Sequence, residues 1–253
     1  MNIRNWISPG VALGILASVS VIASVIVSGG ASAAKPAGPP GPPLTHWWPA
    51  DGTARDRIGN DDGQLLNGVT FTSGFSGQAF HFNGQGSEVR FDEVGGNFGR
   101  DPFTLAFFIK TSSPAMQAIW EKRPVCDAAS FWGFRMTGGL WGAELMSDEF
   151  GTDYTGVPGS QRDISDGSWH HVALVRDGTN ATIYVDGAFP GAATSPEPVL
   201  LSNTAPMRAG MSACTFVDGT NPYDGDLDEL MTFDKALNQG QINALIQFLR
   251  AKR

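Results

Sequence analysis

Twenty residues, Ser168 to Gly187, constrain the fold of this chain more than any other stretch. Trp169 and Val172-Ala173-Leu174-Val175 form one β-rich arm, and Ile183-Tyr184-Val185 form a second. Between them Asp177-Gly178-Thr179-Asn180 supplies residues that tolerate positive φ, so the stretch reads as a β-hairpin. A second Asp-Gly, Asp186-Gly187, ends the returning strand. His170 and His171 are neighbours on the first arm; their side chains leave opposite faces and cannot share one metal ion.

The rest of the chain repeats this grammar. Short apolar runs alternate with Gly, Asp, Asn and Ser clusters, and the 32 Gly and 16 Pro suit many tight turns, not a helical bundle. Strands are expected at His46–Pro49, Gln64–Leu66, Ala79–Phe82, Glu88–Phe91, Thr104–Thr111 and Ala118–Lys122. Further strands are expected at Phe131–Thr137, Leu140–Met146, the two hairpin arms, Met207–Met211 and Leu227–Phe233. The domain is therefore all-β and antiparallel. One helix closes it: Asn238 with Gln241 makes a capping box, and Ile242, Leu245, Ile246 and Leu249 form an apolar stripe that should dock on the sandwich.

Upstream of this domain, residues 1–33 read as a secretory signal peptide. Arg4 gives a positive start, Val11 to Val27 is apolar, and Ala31-Ser32-Ala33 is a small-x-small cleavage site. An uncleaved anchor is the rival reading, but an apolar run of this length at 1.5 Å rise reaches only about 25 Å. Residues 34–43, with Pro36, Pro39, Pro40, Pro42 and Pro43, form a polyproline-like linker. The globular domain is 44–253. A secreted or extracellular location follows, with cell-surface association open and no membrane insertion after signal cleavage. The formal charge of −8 argues against nucleic-acid or anionic-lipid partners, which need clustered Lys and Arg. In an oxidising compartment Cys126 and Cys214 are expected to form a disulfide.

Three groups of residues are of types that carry chemistry. Asp224, Asp226 and Asp228 recur at period two, as a glycan-cleaving carboxylate row would, or as a polar strand edge would. They do not fit an EF-hand, because Glu229 stands where the loop needs Gly and Lys235 where it needs Glu. Glu144, Asp148 and Glu149 form a second acidic group, with the spacing of loop carboxylates. The third group is aromatic and suits stacking on sugar rings: Trp132, Arg135, Trp141, Asp153 and Tyr154, on or beside the middle strands and a long Ser147–Ser160 loop, with Tyr223 beyond the Cys214 loop. Both Trp residues compete for places in the core.

Four blocks in order resemble the laminin-G-like jelly rolls of the concanavalin A-like lectin/glucanase superfamily. They are His46-Trp47-Trp48-Pro49-Ala50-Asp51-Gly52, Gly77-Gln78-Ala79-Phe80-His81-Phe82-Asn83-Gly84, the hairpin with its Trp-His-His-Val-Ala and Tyr-Val-Asp-Gly, and Tyr223 to Leu230 with the final helix. The resemblance implies a two-sheet antiparallel jelly-roll sandwich with a short C-terminal helix. It implies a structural calcium held by Asp228, with Asp51 and the carbonyl of Gly84 as partners. It also implies a non-catalytic module that binds a glycan; a structural or protein-binding adhesion domain with an extracellular protein partner is the alternative, and a glycoside hydrolase or polysaccharide lyase a third. The acidic Glu-x-Asp-x-x-Glu string of the hydrolytic members is missing.

Overall fold

The computed structural model describes Pro39 and residues 41–91, 95–126, 130–138, 140–147, 153–159 and 163–253. The expected leader, and most of the expected linker, lie outside these residues. Fifteen strands and one helix follow in order. The first five are β1 (Leu44–Trp48), β2 (Gln64–Leu66), β3 (Thr70–Ser73), β4 (Gln78–Asn83) and β5 (Glu88–Arg90). The next five are β6 (Phe103–Lys110), β7 (Gln117–Lys122), β8 (Phe131–Thr137), β9 (Leu140–Ser147) and β10 (Asp153–Pro158). The last are β11 (His170–Asp177), β12 (Asn180–Val185), β13 (Ala188–Thr194), β14 (Met207–Ala209), β15 (Asp224–Phe233) and α1 (Gln239–Arg250).

These strands build two antiparallel sheets packed face to face, a jelly-roll sandwich. One runs β13-β12-β11-β6-β15-β4-β3, with β1 pairing the far half of β15; the other runs β10-β9-β8-β7-β14-β5-β2. Alternation decides what lies between them. Phe107 and Leu105 of β6, Val172 and Leu174 of β11, and Trp132 and Phe134 of β8 all point into one buried cluster. Trp120 is its centre, with ring contacts to Trp48, Phe107, Trp132 and Phe134 at 6.3, 5.8, 5.6 and 6.5 Å.

The outer face of the first sheet is buried as well. Asn238 caps α1 in the expected box with Gln241, and Ile242, Leu245, Ile246 and Leu249 pack on Trp47, Phe108, Ala173, Val175 and Met231. One buried cation fastens the loops at the sandwich edge. Arg176 Nη1 donates to Val199 O at 2.6 Å, and Nη2 donates to Gly99 O at 3.0 Å and to Asp101 O. Burial lowers its pKa to about 10, with the Asp101 charge opposing.

Three strands, β3, β10 and β13, were not expected from the sequence. Each is a sheet edge. Edge strands bury little, tolerate Pro and Gly, and lose the alternation that marks interior strands. β13 contains Pro190-Gly191, and β10 contains Gly156 and Pro158. The Asp186-Gly187 pair was the available signal for β13: both residues have positive φ, 50° and 75°, and Val185 pairs with Ala188 across a two-residue turn. The expected long loop Ser147–Ser160 is corrected by β10, which returns along β9 from Asp153↔Ser147 to Pro158↔Gly142.

Cys126 and Cys214 are disulfide-bonded with Cα atoms 4.4 Å apart, closing a separation of 88 residues. Replacing both by Ser is expected to lower stability by about 4–5 kcal/mol on the chain-entropy relation, read as the shift in urea-unfolding free energy. His171 supplies a pH test. It is fully buried against Phe108, both ring nitrogens lack a hydrogen-bond partner among the described residues, and burial lowers its pKa to about 4 against a weaker pull from Asp186. The unfolded chain therefore binds this proton at higher pH than the folded one. The group's contribution is intact above pH about 6.5 and is lost as pH falls towards about 4, by roughly 3 kcal/mol. The stability difference between wild type and His171→Leu, measured from pH 7 to pH 4, should change by that amount; a constant difference would contradict the assignment.

Candidate functional site

Among the described residues no helix covers the outer face of the second sheet, and over β8, β9 and β10 it forms a groove of about 370 Å³. Register explains its shape. Glu144 of β9 is flanked by Gly133 of β8 and Gly156 of β10, and Gly142 lies between Arg135 and Pro158. Glycines beside long polar side chains leave a trough, with Glu144 and Arg135 rising from it and Tyr154 and Leu140 at its side. Tyr154 is 53% exposed, so one ring face is available to a ligand. The ring lies over Gly156, where a Cβ would come within 3.2 Å of Cε1 and the hydroxyl. Any larger residue there would lift it.

Charge in the groove is paired in a chain. Tyr154 donates its hydroxyl to Glu144 Oε1 at 3.0 Å, and Arg123 Nη2 donates to Glu144 Oε2 at 2.8 Å. Arg135 Nε lies 3.6 Å from Glu144 Oε2, and its Nη1 donates to Asp218 Oδ2 at 3.0 Å. Behind them Glu121 accepts from Ser212 Oγ and the Ala213 amide, which moors the Cys214 loop to β7. Burial, then the Glu144 charge and hydrogen bond, push the Tyr154 phenol up to about 12, so it remains a hydrogen-bond donor at neutral pH. Burial works to raise the Asp218 carboxyl, but hydrogen bonds from Thr220 and the nearby Arg135 outweigh it. Burial lowers Arg123 and raises Glu121, each partly offset by the other. A flat ring beside fixed donors and acceptors is a surface that can stack on a sugar and bind its hydroxyls.

Of the residues expected to bind ligand, Arg135, Tyr154 and Trp141 line this groove, Trp141 while almost wholly buried. Trp132 is fully buried, donating Nε1 to Gly96 O at 2.8 Å, and Trp141 is in the same core. Tyr223 is also fully buried, its hydroxyl donating to Lys110 O at 3.0 Å, so its expected place on a platform is corrected. Asp153 opens β10, paired with Ser147. Glu144 is not a loop carboxylate: it is an interior residue of β9 at the middle of the groove. Asp148 and Glu149 lie outside the described residues. Sequence reading missed Arg123, Glu121 and Asp218. Nothing local in the sequence signals them: Glu121 and Arg123 stand at the end of β7 and Asp218 in the Cys214 loop, and only the fold sets them beside Glu144 and Arg135.

In the acidic row of β15 Asp224 is exposed, while Asp226 and Asp228 are held in ion pairs and backbone contacts. Asp226 lies 2.8 Å from His81 Nδ1 and 3.5 Å from Lys110 Nζ. Asp228 is fully buried and accepts from the Ser76 amide at 3.0 Å, while its Oδ1 has no hydrogen-bond partner among the described residues. It sits on β15 between the start of β4 and the end of β1, at a bulge in which Glu229 has φ 52°. A Cβ on Gly74 would come within 2.6 Å of Asp228 Oδ2, so the 74–78 turn is pressed onto this carboxylate. Asp51 reaches the same turn from outside, accepting from the Gln78 amide at 3.1 Å and from Arg57 at 2.8 Å. Gly84 lies apart from both. It neighbours Asp224, four residues along β15 and so about 13 Å from Asp228. Burial, followed by the Glu229 charge, raises Asp228 to about 8; burial raises Glu229 to about 7 despite its bond from Trp47 Nε1. A buried carboxylate oxygen without a hydrogen-bond partner is the kind of donor a hard cation takes, and Asp51 holds the other side of the same turn.

Comparison with solved structures returns the same architecture. The binding domain of Paraclostridial Mosquitocidal Protein 1 is similar with 14% identity and a TM-score of 0.65, over 82% of this chain and 52% of that one. The binding domain of Botulinum Neurotoxin DC in complex with SialylT has 16% identity and a TM-score of 0.63, over 81% and 51%. The chain thus spans about half the length of these toxin domains. Domain 4 of AbnA, a GH43 extracellular arabinanase from Geobacillus stearothermophilus, in complex with arabinotriose, matches along 97% of its own length and 80% of this chain, with 18% identity and a TM-score of 0.60. No curated protein sequence matches at a significant level. Among the described residues no helix is long and apolar enough to cross a membrane. A laminin-G family model, described as the concanavalin A-like lectin/glucanases superfamily, matches residues 83–243, from the end of β4 into α1, and the chain belongs to that superfamily.

Proposed function

We propose that this chain is a secreted, non-catalytic carbohydrate-recognition module whose sugar site is the groove over β8, β9 and β10. The observation that carries the reading is Tyr154, a half-exposed ring over Gly156 whose hydroxyl is fixed on Glu144. Arabinotriose and SialylT in the complexes of two similar structures support a sugar as the class of ligand. A non-catalytic role is supported by the β15 carboxylates, of which Asp226 is paired with His81 and Lys110 and Asp228 is buried under the 74–78 turn. Retention on a polysaccharide and glycan array is expected to select one glycan class. Tyr154→Ala should weaken that binding about ten-fold, and Tyr154→Phe, which keeps the ring, should weaken it less. A folded protein that binds nothing on the array would overturn the reading in favour of a protein-binding adhesion domain.

A structural calcium belongs to the same proposal. Asp228 would hold it from the strand and Asp51 from the turn's outer side, and the ion would supply the positive charge that a buried carboxylate otherwise lacks. Calcium at a hundred times its Kd should then stabilise the wild type by roughly 2.7 kcal/mol, and Asp228→Asn should abolish that gain, both read from the thermal midpoint with and without a chelator. An equal calcium response in Asp228→Asn would remove Asp228 from the site.

A further inference from the structure

The charge pairing in the groove restricts which glycans it can accept, and an unusual residue beside it marks where a longer ligand would continue. Both guanidinium groups are already matched. Arg123 is buried between Glu121 and Glu144, and Arg135 stands between Glu144 and Asp218. Three carboxylates thus face two guanidiniums, in a chain whose formal charge is −8. A sugar carboxylate or sulfate drawn to Arg135 would sit beside Glu144 and Asp218, the two carboxylates already paired with that guanidinium. Such like-charge juxtaposition is what excludes a wrong partner. Sugar hydroxyls meet no such penalty, because carboxylate oxygens accept from them and an arginine fork offers five donors.

Phe216 gives the second observation. It is 73% exposed and has φ 67°, a conformation in which a bulky side chain is strained and glycine is not. Val217 beside it is 69% exposed. Neither packing nor backbone preference accounts for an aromatic residue there. The loop nevertheless fixes the backbone that carries the ring: the Phe216 amide donates to Thr220 O at 3.0 Å, the Val217 amide donates to Cys214 O at 2.9 Å, and Cys214 is bonded to Cys126. Asp218, two residues on, is the residue that Arg135 grips, so this tip borders the groove. From Tyr154 on β10 to Arg135 on β8 is two strand spacings, about 10 Å, before the loop begins.

Building on the reading of the groove as a sugar site, we propose that its ligand is an uncharged oligosaccharide that stacks on Tyr154 at one end, hydrogen-bonds to Glu144, Arg135 and Asp218, and stacks on Phe216 at the other. Phe216 is a binding residue held in a strained conformation for contact with ligand. The test is calorimetric titration of the full chain with neutral and acidic probes of matched size. Arabinotriose, arabinohexaose, xylohexaose and lacto-N-neotetraose are compared with hexagalacturonate and with sialylated lacto-N-neotetraose, on wild type, Phe216→Gly and Tyr154→Ala. At least one neutral probe is expected to bind, ten-fold or more tighter than the acidic probe of its size. Phe216→Gly, which relieves the φ strain, should keep or raise the thermal midpoint, weaken the longer neutral probe about ten-fold, and leave the triose nearly unchanged. Tighter binding of an acidic probe would keep the sugar site and overturn the charge class. Undiminished binding of the hexaose by Phe216→Gly would overturn the role of Phe216. Silence from every probe with folded protein would remove the sugar site itself.

Discussion

The packing of Trp120 against Trp48, Phe107, Trp132 and Phe134 is the contact on which the rest depends, because it joins strands of both sheets in one aromatic cluster. Aromatic rings bury large apolar areas, and edge-on geometry adds to what area alone contributes. With the sandwich closed from within, neither outer face has to bury itself to make the protein stable. One face is nonetheless used for packing, under α1 and the Trp47–Phe108 cluster. The other is free to be polar, and it carries the groove.

Polarity on that face is organised by constraint. Arg123 is nearly buried, stacked 3.3 Å over Phe131, and holds Glu144 from below. Glu121 accepts two hydrogen bonds from the Cys214 loop, and the disulfide ties the same loop to the end of β7's connection. Removing one partner from such a network leaves another charge buried and unpaired, which makes the geometry stiff. A stiff site loses little ordering entropy when a ligand binds. The groove thus inherits its rigidity from groups that a ligand would never touch.

Parts of this site were legible in advance and parts were not. Tyr154 stood out because Gly151 and Gly156 bracket an Asp-Tyr pair, and Arg135 because it lies among the aromatic residues of the middle strands. Trp132 and Trp141 carry the residue type that suits sugar stacking, yet parity on their strands turns both inward. Tyr223 follows a polar loop, but its ring enters the core and its hydroxyl is satisfied by backbone carbonyls. Glu144 looked like one of three acidic loop residues; strand pairing puts it opposite Gly133 and Gly156 instead. Face is decided by register, and a shift of one residue would exchange every one of these assignments.

Local chemistry was enough to determine the strand-rich class, the Asn238 capping box, the hairpin at Asp177–Asn180 and the superfamily, whose model spans the last two of the four resembling blocks. These are short-range properties: turn residues, alternation and capping act within a few positions of one another. Tertiary structure alone decided that β10 and β13 exist as edges, that Gly84 lies far from Asp228, and that Glu144, Arg135 and Asp218 come together. Those residues are separated by up to 83 positions in the pairing of Arg135 with Asp218, and only closure of the sandwich and of the Cys126–Cys214 loop brings them within hydrogen-bond reach.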